Sequence, residues 1–188
     1  MKASQQIVGV NQRLGNTAVP NMQGTTRVIF DTNQITTAAT DQTLTFFSGV
    51  SSRVYPLANV STNRFEVGES LAIQGFSLLS YTTATPTLAT ACNASAGDYR
   101  GGILNFYIGN QRVIKDLEIV TYGRFSLGEA VSESALHTIF RLETPIVIPP
   151  QIEYYATLRF STNSSFNGIS VVLAAYGTGT LLNTKSNF

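Results

Sequence analysis

The chain has 188 residues and a formal net charge of +1, from 12 basic and 11 acidic residues, with only 12% charged residues against about 25% in an ordinary soluble domain. That length suits one domain with a sizeable core, and near-neutrality argues against a folded body that grips DNA, RNA or an anionic surface mainly by charge. A single cysteine, Cys92, excludes an intrachain disulfide, and without a Cys/His cluster a structural zinc site is excluded as well, so the fold must rest on packing.

Ser, Thr, Asn and Gln occupy the polar positions that Lys, Glu and Asp usually fill. Interface cores deplete those charged residues, because desolvating an unpaired charge costs far more than desolvating a hydrogen-bonded hydroxyl or amide. The composition therefore reads as a surface built to be covered, a property shared by assembly subunits and Thr-rich extracellular β domains. Nine of the twelve cations are Arg, the residue suited to planar, hydrogen-bonded contacts within a molecule or between molecules.

In chain order, residues 1–23 are rich in Gln and Asn with little periodicity and read as an extended arm. They contain no apolar run of signal-peptide length, and no stretch of the chain approaches the ~18 apolar residues of a membrane-spanning helix. Synthesis in a cytoplasm and the absence of a transmembrane segment are the corresponding expectations. Residues 24–188 read as a single domain, in which short β-branched and aromatic runs are separated by turn residues. Candidate strands cover 26–30, 43–48, 64–67, 70–81, 102–108, 111–114, 117–127, 136–142, 152–160 and 169–176. Ten such runs without a helix of ordinary length predict an all-β, antiparallel sandwich or barrel.

Several local features are more specific. Gly109-Asn110 lies between the apolar runs ending at Ile108 and beginning at Gln111, which predicts a tight hairpin. Gly68 between Glu66 and Glu69 marks a turn. Pro149-Pro150 cannot sit in a central strand and predicts a corner. Beyond it, Ile152, Tyr154, Ala156, Leu158 and Phe160 alternate with Glu153, Tyr155, Thr157 and Arg159, giving one core face and one outer face that mixes charge with aromatic character. The long polar stretch 82–101, with Pro86 and Cys92, reads as a loop held by a neighbour or used in function.

A search for chemistry yields no catalytic, cofactor-binding or metal-binding constellation. His137, the only histidine, lacks a nucleophile elbow, and Cys92 lacks any supporting signature. Glu66 and Glu69 read as a solvated turn rather than a glycosidase pair, and Asp98, Asp116 and Glu118 lack the dense acidic loop of a calcium site. Gly177-Thr178-Gly179-Thr180 lacks the Lys and helix of a phosphate loop and reads as a strand-ending turn. Asn59, Asn93 and Asn163 begin Asn-x-Ser sequons that an Asn- and Ser-rich chain produces by chance. Eight tyrosines without a Trp point to core filling and interfaces more than to a sugar platform.

The polar arm, the run of strands, the hairpin of residues 102–115 and the closing stretch 145–154 together resemble the small jelly-roll coat proteins of icosahedral viruses and phages. That resemblance implies a jelly-roll sandwich with an extended N-terminal arm. It implies a non-enzymatic, self-assembling capsid subunit in the virion, whose partners are copies of itself and other virion proteins. Arg13, Arg27, Tyr99, Arg100, Tyr154, Tyr155 and Arg159 are the candidate subunit contacts. Lys2 and Arg13 are the arm's only charges, so nucleic acid is expected to be a secondary partner at most, whether the chain is a major shell component whose genome lies under another layer or an auxiliary or vertex component. The alternative expectation is a receptor- or glycan-binding head domain of a phage fibre or adhesin.

Overall fold

The computed structural model describes residues 22–34, 42–48, 55, 57–81, 102–119, 140–160 and 170–182. Every regular element among them is a strand: β1 (Met22–Gln34), β2 (Gln42–Phe46), β3 (Glu69–Tyr81), β4 (Gly102–Ile108), β5 (Gln111–Ile119), β6 (Phe140–Ile148), β7 (Tyr154–Phe160) and β8 (Ser170–Leu182). They form two four-stranded antiparallel sheets, ordered β1-β8-β3-β6 and β2-β7-β4-β5. The pairing is nested: β1 with β8, β2 with β7, β3 with β6 and β4 with β5. A chain paired in this way is one long hairpin folded over itself, with β4–β5 as its tip.

The two sheets are joined by one apolar core in a sandwich-like arrangement. Leu71, Ile73, Phe76 and Leu173 come from the first sheet, while Phe46, Leu104, Phe106 and Leu158 come from the second. Phe76 and Phe106 meet across the interior with ring centroids 5.6 Å apart. The alternation expected in β7 is present: Tyr154, Ala156 and Leu158 are buried, while Tyr155 and Thr157 are half-buried and Arg159 exposed. By contrast β8 is buried on both faces from Ser170 to Ala175, as suits a strand hydrogen-bonded between β1 and β3.

Turn chemistry accounts for much of the local structure. Gly109, at φ 56°, closes the β4–β5 hairpin, and Gly68, at φ 88°, closes a turn in which the Glu69 amide donates to the Glu66 carbonyl at 3.0 Å. Pro149-Pro150 form the corner between β6 and β7, followed by Gln151 in the left-handed region. Phe47, at φ 63°, is a more demanding case, because a bulky side chain rarely takes that conformation. Its amide donates to Asp31 Oδ2 at 2.6 Å, so a fully buried carboxylate of β1 holds the end of β2.

Some boundaries differ from the sequence reading. Residues 64–67 are not a strand; they belong to the connection leading into the Gly68 turn. The runs 111–114 and 117–127 are joined where described, because β5 continues through two register shifts opposite Leu104, Phe106 and Tyr107 that absorb extra residues as bulges. Asn105 supports this irregular stretch by accepting from the Asp116 amide at 2.9 Å and from Arg112 Nη1 at 3.3 Å. Gly177-Thr178-Gly179-Thr180 is not a strand-ending turn but lies within β8, which runs on to Leu182. A Cβ at Gly177 would stand 1.9 Å from the Ala72 carbonyl oxygen, so close approach of β3, rather than chain reversal, requires glycine there. β1 begins at Met22, two residues inside the segment read as an arm, and residues 1–21 lie outside the described residues.

Candidate functional site

The β4–β5 and β6–β7 connections and residues 57–68 ahead of β3 gather at one end of the two sheets. Three backbone hydrogen bonds bind them: the Gly109 amide to the Glu153 carbonyl at 2.7 Å, the Tyr154 amide to the Asn63 carbonyl at 2.9 Å, and the Gln151 amide to the Phe65 carbonyl at 2.9 Å. At this end Arg27 of β1 reaches Glu69 of β3, with Nη1 donating to Oε2 at 3.1 Å. Strand β8 lies between those two strands. The Arg27 stem passes over Gly179 of β8, which carries no side chain; a Cβ there would meet that stem at 3.1 Å. The guanidinium carbon also lies 4.6 Å from the centroid of the Phe65 ring.

A cleft of about 250 Å³ opens beside this pair, lined by Arg27, Ser61, Thr62, Arg64, Glu69 and Tyr154 among others. A second, of about 200 Å³, flanks the pair through Thr25, Gly179 and Thr180. Tyr154 is fully buried, with its ring among Phe47, Phe65 and Phe106 at centroid distances of 5.8, 5.1 and 6.4 Å. Among the described residues its hydroxyl has no hydrogen-bond partner, and neither has the buried Thr180 hydroxyl. Burial pushes the Tyr154 phenol well above its ordinary range; Arg27 opposes that shift, and Asp31 and Glu69 reinforce it. At the rim Arg64 Nε and Nη2 both engage Glu153 Oε1, an ion pair whose side chains are 56% and 52% exposed.

A different surface lies on the outer face of β2-β7-β4-β5. Tyr107 and Tyr155 are register partners on β4 and β7, and their rings stack at 4.5 Å with an interplanar angle of 6°. Four register pairs further along, Ile103, 40% exposed, stands opposite Arg159, which in turn faces Thr43 of β2. This face combines aromatic, aliphatic and Arg side chains with threonines, and its Tyr and Arg are residue types enriched at interfaces.

The candidate contacts thus divide. Tyr155 and Arg159 share the outer face. Arg27 and Tyr154 come together instead at the end cleft, where Arg27 has an intramolecular ion-pair partner and Tyr154 is a core residue, as the β7 alternation requires. Arg13, Tyr99 and Arg100, like His137 and Cys92, lie outside the described residues. Asn59 is engaged rather than available as a sequon: its Nδ2 donates to the Val28 carbonyl at 2.7 Å and its Oδ1 accepts from the Phe30 amide at 2.8 Å, covering the free edge of β1. Glu69, Arg64 and Thr180 were not legible as site residues. The one signal was the Gly-x-Gly spacing at 177 and 179, which leaves a side-chain-free strip on one face of a strand. Compared with known protein families, curated proteins and solved structures, the chain matches none of them.

Proposed function

We propose that this chain is a self-assembling structural subunit of a virion shell, built on a jelly roll. The observation that carries the reading is the nested pairing β1–β8, β2–β7, β3–β6 and β4–β5 across two sheets of four. That order of pairing supports a jelly-roll reading, an eight-stranded architecture of two Greek keys used by viral capsid domains as well as lectins and cupins. Because fold alone does not decide function, the shortage of charge is the second support: 12% charged residues leave a surface that loses little on desolvation. The outer face with Tyr107, Tyr155 and Arg159 is the proposed contact between copies, its stacked rings forming a rigid anchor.

Electron microscopy of the purified full chain tests this reading. Closed particles or stable rings are the expected result, and a field of monomers at all concentrations would overturn it. Deleting residues 1–21, which leaves β1 whole, tests the further proposal that the N-terminal segment ties copies together; unimpaired assembly by the shortened chain would contradict that part.

A second reading, a glycan-binding head domain, is favoured by one observation, the surface-accessible Tyr107–Tyr155 stack. Aromatic faces of this kind also serve as sugar platforms.

A further inference from the structure

Two buried hydroxyls without partners among the described residues stand on either side of one ion pair. Tyr154 lines the larger cleft and Thr180 the smaller, while Arg27 and Glu69 wall both. A buried hydroxyl left without a hydrogen bond is costly and calls for an explanation, of which a bound partner is one. Arg27 is similarly under-used: of its five N–H groups, one makes a hydrogen bond to a described residue.

The charges bound the class of occupant. Arg27 and Arg64 in the larger cleft are balanced by Glu66 and Glu69, so neither a strong anion nor a cation is favoured. An occupant must instead both donate, to the Glu69 carboxylate, and accept, from the Arg27 guanidinium and the Tyr154 phenol. A volume of about 250 Å³ is below the ~300–1,000 Å³ of ordinary ligand pockets and suits a single small ring. Adjacent hydroxyls on one ring meet these requirements together, since each both donates and accepts.

We propose that the Arg27–Glu69–Tyr154 cleft binds a neutral polyhydroxylated ring, one saccharide unit. Neighbouring hydroxyls bridge Glu69 and Arg27, while the Tyr154 hydroxyl donates to a third oxygen. The inference rests on the glycan-binding reading rather than on assembly, and it moves the sugar site from the outer-face tyrosine stack to the end of the sheets.

The test is calorimetric titration of the full chain with D-glucose, D-galactose and N-acetylglucosamine, with sodium acetate as a charged control. Binding of at least one neutral sugar, with no acetate binding, is expected. Tyr154→Phe keeps the ring and removes only the unpartnered oxygen, so it is expected to weaken that binding about tenfold with an unchanged or higher Tm in the free protein. Tyr155→Ala is expected to leave sugar binding within twofold. Sugar binding that survives Tyr154→Phe but is lost in Tyr155→Ala overturns the cleft assignment and keeps the glycan reading. No sugar binding at all overturns both, and acetate binding in place of sugar overturns the ligand class.

Discussion

Tyr154 and Tyr155 are adjacent in sequence and belong to opposite regions of the molecule. The first packs its ring among Phe47, Phe65 and Phe106 at the end of the core, beside the end cleft, with a hydroxyl that lacks a partner among the described residues. The second stacks on Tyr107 on the outer face of the second sheet, within reach of other molecules. The difference teaches how one strand serves two purposes: its inward positions fix the sandwich and floor a small polar cleft, while its outward positions present a flat aromatic surface. Substitutions on the two sides should therefore separate folding from association.

The largest effect is expected on the inner side. Gly177→Ala drives a methyl into the Ala72 carbonyl, 1.9 Å away, and neither backbone can yield without breaking the β3–β8 ladder. A loss of about 3 kcal/mol in urea unfolding is predicted, and an unchanged midpoint would show that β3 and β8 do not approach as described. Asp31→Ala comes next, because it strips the buried Phe47 amide of its acceptor where φ is already unfavourable. About 2–3 kcal/mol of stability should disappear in the same assay.

On the outer side, Tyr107→Ala should cost only about 1 kcal/mol of monomer stability, the value of a stacked pair. If this face joins copies, the same change weakens association by about 2 kcal/mol or more per contact. Equal effects on folding and association would remove the distinction between the two faces. Smallest of all, Arg64→Ala at the exposed rim should shift stability by less than about 1 kcal/mol, and less again in high salt.

The Tyr154 phenol adds a pH signature to the inner region. Its pKa in the folded protein lies above the ordinary value of 10.0, so the unfolded chain releases this proton first as pH rises. Stability from this group is whole below pH 10 and falls above it, with a slope of up to about 1.4 kcal/mol per pH unit. Tyr154→Phe should flatten the alkaline loss in a pH series of thermal melts, and an unaltered series would show that the ring is not buried as described.

Much of this fold was readable from residue order. Alternation in 154–158 separates the two faces of β7, Gly109-Asn110 fixes the tip of the nested hairpin, and Pro149-Pro150 marks a corner. Those signals are local, set by backbone dihedrals and period-two burial. The end cleft was not readable because its parts are brought together by register: Arg27 and Glu69 are 42 residues apart, and Arg64 and Glu153 are 89 apart. Gly177 and Gly179 resembled turn residues because a glycine needed for close approach carries the same letter as one needed for chain reversal. Only the neighbouring strands distinguish the two uses.

The central claim is association through the outer face, and sedimentation velocity of the full chain beside Tyr155→Ala tests it most directly. The wild-type chain is predicted to sediment as large assemblies, with Tyr155→Ala remaining folded but shifted to small species. A wild-type monomer across the concentration series, or assemblies indifferent to Tyr155→Ala, would contradict the account.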